Sequence, residues 1–218
     1  MESVRHLAHR YGQHRFTVLF ATLLLAIAGH GIFSALFPIA NPLEWLLGFS
    51  LIAVVFSARR GTLRWILGGM VAACVVAWLM RGLVDHPAPV LGSQLMIALT
   101  CLLATGVSAR RALASGPVDA EHICAALDAY LLAGIAFGVA YWMMETVQPG
   151  TFAGATAGNL TPQRAIYFSF VTQATLGFGD IVPVRESAQG IVVAQGIGGQ
   201  MYLAVLVARL VSLYSGRR

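Results

Sequence analysis

Lysine is absent, and the chain of 218 residues carries only 14 basic and 9 acidic side chains, so charged positions make up 11% of the whole. A soluble domain carries about 25%. The shortage excludes an ordinary solvated surface. Cysteine is as scarce: Cys74, Cys101 and Cys124 stand singly inside or at the edge of apolar stretches, with no C-x-x-C pair and no metal-ligand spacing around them. They read as small apolar side chains, which excludes a disulfide framework and a cysteine-based metal centre. No nucleophile stands beside a base in motif context, and no phosphate loop or zinc signature occurs, so nothing points to an enzyme or to a bound cofactor. His6 and His9 are too few for a specific metal site and read as part of a basic interfacial segment.

What the chain has in excess is apolar surface. Hydrophobic residues make up 58%, the mean hydropathy is +0.76, and this composition belongs to an integral membrane protein whose first partner is the lipid bilayer. Six apolar segments lie between arginine clusters and turn residues, at 16–37, 43–58, 63–83, 90–109, 123–147 and 188–214. At about 20 residues per span most are long enough to cross, and the second is short. The first run is longer than a signal-peptide core, and Phe37-Pro38-Ile39 is a poor cleavage site, so it is expected to stay in the mature chain.

The excess of five positive charges is explained by topology and not by nucleic acid. Arg5, Arg10 and Arg15 precede the first run; Arg59, Arg60 and Arg64 separate the second from the third; Arg110 and Arg111 follow the fourth; Arg217 and Arg218 end the sequence. The alternate connections hold Glu44, then Arg81 with Asp85, then Glu145 with Arg164 and Arg185. The positive-inside rule therefore predicts a multi-pass protein of the cell membrane with both termini cytoplasmic. It also puts the stretch between the fifth and sixth runs on the outer side.

That stretch opens with a helix signal. Thr161 suits an N-cap, Pro162 suits the first helical position, and 163–173 continues without glycine or proline. Twelve such residues make roughly 18 Å, too short to cross, so the chain must re-enter and turn back. Thr175-Leu176-Gly177-Phe178-Gly179-Asp180 follows, where Gly177 and Gly179 can take backbone angles closed to other residues. In this setting the hexapeptide resembles the filter of the potassium channel superfamily, which carries T-V-G-Y-G-D or close variants. Residues 201–209, MYLAVLVAR, resemble the inner helices of small bacterial potassium channels.

The resemblance implies a homotetramer, since each chain supplies one filter strand. It implies that carbonyls of Thr175, Leu176, Gly177 and Phe178, with the Thr175 hydroxyl at the inner end and Gly179 completing the loop, replace the hydration shell of K⁺. K⁺ is then the permeant ion. Asp180 would stand at the outer mouth, Tyr167 and Thr172 would support the filter, and the short helix would turn the negative end of its dipole toward a central cavity. Three departures accompany the likeness: Phe178 replaces the commoner tyrosine, Ala174 a frequent threonine, and Val171 a glutamate that in some members pairs with the filter aspartate. Tyr167 is thereby the expected partner of Asp180.

Gly196, Gly198 and Gly199 fall near the middle of the sixth run, each costing about 1 kcal/mol against alanine. A candidate gating hinge and close helix contact both account for them. The fourth run contains no basic residue, and no run repeats one at every third position, so a voltage sensor is not expected and the first four runs are read as bracing. His30, Asp128 and Glu145 are placed at interfaces. Taken together, the expected fold class is an all-α membrane protein with six transmembrane helices, a re-entrant pore helix and a filter loop, forming a tetrameric channel. Its parts are a basic cytoplasmic segment 1–15, a four-helix transmembrane region 16–111 and a pore domain 120–218. The expected function is passive, potassium-selective and not voltage-gated; a weakly selective cation channel, or a non-conducting sensor or accessory subunit with a channel-like loop, are the alternatives. No nucleotide- or ligand-binding domain is expected after Arg218, so the gating stimulus is not legible.

Overall fold

The computed structural model describes residues 15–36, 61–80, 87–114, 119–154 and 160–215. Six helices and one two-stranded ribbon are seen among them: α1 Arg15–Leu36, α2 Thr62–Met80, α3 Pro87–Ala112, α4 Ala120–Val147, β1 Phe152–Gly154, α5 Pro162–Gln173, β2 Ile181–Pro183 and α6 Glu186–Ser215. The expected run at 43–58, together with His6 and His9, lies outside the described residues. Three of the helices are long and apolar enough to cross a membrane, over Leu91–Ala112, Ala120–Val147 and Glu186–Ser212.

α3, α4 and α6 begin two or three residues before their apolar runs, because capping chemistry is polar. Asp119 accepts a hydrogen bond from the His122 backbone N–H at 2.9 Å and contacts the His122 ring at 2.7 Å, which closes the first turn of α4. These bonds from His122, side chain first, hold the Asp119 carboxyl below its ordinary range. Proline opens α3, where its missing N–H costs nothing. Arg110 and Arg111 close the same helix, at the end where the dipole favours cations.

The described parts divide into two compact units, Met1–Ala73 with Thr100–Leu132, and Cys74–Leu99 with Ala133–Arg218. In the first, Phe16, Leu19, Leu23 and Ala26 form one buried stripe of α1, and Ala125, Ala126 and Ala129 form a buried small-residue face on α4. Small side chains let helices approach closely without a hydrophobic drive between them. Glu121 ties the start of α1 down: its carboxylate accepts from the backbone N–H of Phe16 and of Thr17, both at 3.1 Å, and from the Thr17 hydroxyl at 2.7 Å. These N–H groups belong to the helix end that has no internal partners. Glu121→Ala is expected to lower stability by about 2 kcal/mol, the scale of hydrogen bonds to a charged group. Thermal unfolding of the purified protein in detergent measures it, and an unchanged midpoint would show that solvent replaces these bonds without loss.

The second unit has an aromatic centre. Tyr141 on α4, Phe152 on β1 and Phe168 on α5 meet with ring centroids 5.3–5.5 Å apart. Leu160, Ala165, Ile181 and Ala188 complete the buried cluster. Tilted and edge-on rings at such distances stabilise one another beyond the area they bury. Three elements are thus pinned around the loop that follows α5.

Candidate functional site

α5 begins as its sequence dictates. Thr161 is the N-cap with extended backbone (φ −72°, ψ 158°), its side chain accepts from the Arg164 N–H at 3.3 Å, and Pro162 fills the first helical position. The helix lies in a notch of α4. A Cβ at Gly138 would stand 2.7 Å from the Ile166 Cα, and one at Gly134 2.5 Å from the Phe170 ring. Gly134 and Gly138 are four apart, so their missing side chains form one groove.

The far end of α5 flows directly into the glycine loop. Leu176 N–H donates to the Val171 carbonyl at 2.9 Å and Thr175 N–H to the Thr172 carbonyl at 3.0 Å, with Thr175 at φ +57°. This pair of bonds around a left-handed residue is a Schellman termination, in which the left-handed place usually goes to glycine. A β-branched residue there is a genuine outlier and costs about 1–2 kcal/mol. Part of the compensation is local: the Thr175 hydroxyl donates to the Ala174 carbonyl at 2.7 Å.

Beyond Thr175 the alternation continues. Gly177 (φ +54°) and Gly179 (φ +76°) are left-handed, while Leu176 and Phe178 keep negative φ. Alternating hands allow successive peptide planes to turn the same way, the condition under which N–H groups collect on one side of a strip and carbonyl oxygens on the other. Residues 174–179 are exposed, with Leu176 at 57% and Phe178 at 64%. The strip ends at Asp180, which hydrogen-bonds the Tyr167 side chain.

A bracket holds the outer side of this loop. β2 starts one residue after Asp180 and runs antiparallel to β1, with Gly154 opposite Ile181. A Cβ at Gly154 would sit 2.7 Å from the Asp180 carbonyl oxygen, so only glycine fits. Glu145, buried at the end of α4, accepts from the Gly150 N–H at 2.9 Å and the Phe152 N–H at 3.0 Å and so folds the turn that delivers β1. Its carboxylate has a structural occupation. Asp128 is buried on the part of α4 that belongs to the other unit; the His30 side chain lies outside the described residues.

α6 passes behind the loop as an unbroken helix through Gly196, Gly198 and Gly199. A Cβ at Gly199 would be 2.8 Å from the Gln173 carbonyl oxygen, one at Gly196 would make an ordinary 3.8 Å contact with the Thr172 carbonyl, and one at Gly198 would meet nothing within 4 Å among the described residues. Close approach therefore accounts for Gly199. The structure brings Thr172, Tyr167, Asp180 and 175–179 into one assembly, with Gly196 and Gly199 against it, and leaves Gly198 outside.

Two sets of residues escape a reading of the sequence. One is the Gly134–Gly138 notch, whose G-x-x-x-G spacing was available as a signal. The other is a buried polar cluster of Tyr141, Ser169, Gln173 and Gln195, whose only signal is polarity inside otherwise apolar helices. Gln200 is a third omission; its amide nitrogen lies 3.5 Å from the Thr175 hydroxyl, at the outer reach of a hydrogen bond.

Comparison with known proteins picks out the same region. Residues 129–215, from within α4 to the end of α6, match a family model described as ion channel. The chain is 30% identical over 83 residues to two pore potassium channel c of Oryza sativa subsp. japonica, a stretch covering 38% of this chain and 18% of that protein. It thus spans about a fifth of the length of the curated relative it matches. No solved structure matches. Both similarities are to ion channels and both are partial in length.

Proposed function

We propose that this protein is a potassium-selective channel subunit that assembles as a homotetramer and conducts K⁺ passively through rings of backbone carbonyls from Thr175, Leu176, Gly177 and Phe178. The observation that carries the reading is the alternation of left-handed residues at 175, 177 and 179, mounted on a twelve-residue helix that cannot cross a bilayer. A strip with its carbonyls on one face has little use in a packed core, where buried carbonyls are paired. Four such strips around an axis replace the water around a dehydrated K⁺, and irregular backbone at membrane depth is tolerated where it lines an ion path.

The remaining parts fit this role. α4, α5, the loop and α6 form the pore domain, 120–218, with 16–111 as a bracing region and both termini in the cytoplasm. Six spans per chain complete the plan. α6 leaves Val193, Ile197, Met201 and Val205 exposed along one stripe, which suits contact with other copies and with the inner pore. Asp180 stands at the outer mouth, and Tyr167 orients its side chain.

Reconstitution in liposomes tests the proposal. K⁺ flux with a reversal potential that follows the K⁺ gradient supports it; equal permeation of Na⁺ and K⁺ would leave a weakly selective channel, and absence of flux would leave an accessory subunit. Asp180→Asn is expected to reduce conductance more at low salt than at high salt, because a carboxylate ring acts by concentrating cations and salt screens it. Equal loss at both would assign Asp180 a structural role through Tyr167.

Opening is expected to depend little on voltage. One elementary charge crossing the full field contributes about 2.3 kcal/mol per 100 mV, so steep gating needs several charges per subunit. α3, the helix of the fourth run, carries arginine only in its last turn, at Arg110 and Arg111. A steep sigmoid in symmetrical K⁺ would overturn the expectation.

A further inference from the structure

Behind the loop, Gln195 makes a junction among three helices. Its Oε1 accepts from the Tyr141 hydroxyl on α4 at 2.6 Å. Its Nε2 lies 2.7 Å from the Ser169 hydroxyl, 3.1 Å from the Ser169 carbonyl and 3.1 Å from Gln173 Oε1, all on α5. Ser169 in turn donates to the Gly134 carbonyl of α4 at 2.6 Å, which leaves its oxygen free to accept. All four side chains are buried, Gln195 to 2% exposure and Ser169 and Tyr141 to none. Such a network is held tightly because each member left unpaired would be costly at this depth.

Its position matters more than its strength. Gln173 is the last residue of α5, and the two carbonyls before it, Val171 and Thr172, are those that hold the Leu176 and Thr175 N–H groups at the inner end of the glycine loop. One helical turn beyond Gln195, the backbone of α6 at Gly199 abuts the Gln173 carbonyl. α6 therefore grips the terminating turn of α5 at two levels, by an amide and by bare backbone. An apolar side chain of the same size would fill the space without carrying direction. A carboxamide bonded to three partners does carry direction.

We propose that Gln195 is a positioning residue that couples α6 to the filter loop, so that a shift of α6 changes the time the loop spends in its conducting geometry. The proposal rests on the conduction reading above. In outline, a displacement of α6 pulls Ser169 and Gln173, the last turn of α5 tilts, and the Thr175 and Leu176 N–H anchors lengthen. The gate so described lies in the loop.

The test uses the full chain in liposomes, with single-channel recording in symmetrical K⁺ of the wild type, Gln195→Leu, Gln173→Leu and the double variant. Leucine keeps the approximate volume and removes the bonds. Open dwell times are expected to shorten on the order of tenfold in each single variant, the factor that one lost hydrogen bond produces, with the double variant no worse than either single. Unit conductance and K⁺ selectivity should stay at wild-type values. Leu23→Ala, a buried α1 residue remote in sequence, serves as the stability control: if it shortens openings as much for the same fall in melting temperature, the coupling role is overturned, as it is by dwell times within about twofold of wild type or by additive effects of the two substitutions. Should the wild type pass no K⁺, the conduction reading fails separately, and hydrogen exchange decides the coupling: the Thr175 and Leu176 amides should exchange on the order of tenfold faster in Gln195→Leu, and unchanged rates overturn it.

Discussion

Gly177→Ala is expected to abolish selective K⁺ flux while leaving insertion and assembly intact. Among the described residues, its two chain neighbours aside, nothing lies within 4 Å of the place a Cβ would occupy, so the substitution creates no clash there. Its effect is conformational. Gly177 stands at φ +54°, where an L-residue costs about 1–2 kcal/mol. In a ring of four subunits the same strain appears four times, or about 4–8 kcal/mol, and the backbone can relieve it by turning its peptide planes away from the axis. A hundredfold loss of conduction corresponds to about 2.7 kcal/mol, which is below that sum. Flux assays on variant protein with a wild-type elution volume measure the effect, and K⁺ over Na⁺ discrimination equal to wild type would refute the assignment of 175–179 as the filter.

The second large effect is expected at a glycine far from the loop in sequence. Gly138→Val places a side chain where the Cβ alone would come within 2.7 Å of the Ile166 Cα and 3.1 Å of its nitrogen. A rotamer change cannot relieve a clash with backbone, so α5 must leave the groove. Overpacking of this kind costs about 3 kcal/mol. The displaced helix carries the Thr175 and Leu176 anchors with it, so flux and melting temperature should fall together. Gly106→Ala, at an exposed helical glycine with open space around it, is the control and should leave flux unchanged while adding up to about 1 kcal/mol. Wild-type flux in Gly138→Val would mean that the α4 groove does not hold α5 in place.

How much of this is legible in the chain depends on how local the determining chemistry is. The start of α5 is readable to the residue because Thr161 and Pro162 act on their nearest neighbours. The positive φ of Gly177 and Gly179 is likewise a local allowance. Thr175 is different: no local preference leads a threonine to φ +57°, and its state follows from two carbonyls at the end of a helix that must first exist. The Gln195 network is further from view still: Ser169 and Gln173 stand four apart on α5, but no spacing links them to Tyr141 or Gln195, which join them only when three helices have packed. The Gly134 and Gly138 pair had a recognisable spacing, yet the chain has 23 glycines and nothing but their partners on α5, Phe170 for Gly134 and Ile166 for Gly138, distinguishes these two. Carboxylates illustrate the same limit, since Glu145 closes a turn through N–H groups five and seven residues ahead, a geometry that its place at the end of an apolar run does not announce.

Thr175 has a last consequence. Its N–H closes the terminating turn of α5 and it is the first of the left-handed places in the strip, so no spacer separates the helix end from the strip. Because left-handed positions recur at every second residue, the distance from the helix terminus to Asp180 has a parity. A loop lengthened or shortened by one residue between them would present its N–H groups where its oxygens had been, whatever its composition. The strip therefore inherits its phase from the last turn of a helix, and the bracket at Ile181 closes on it from the other end. The constraint is on the count of backbone steps between the left-handed places at 175, 177 and 179, which is even.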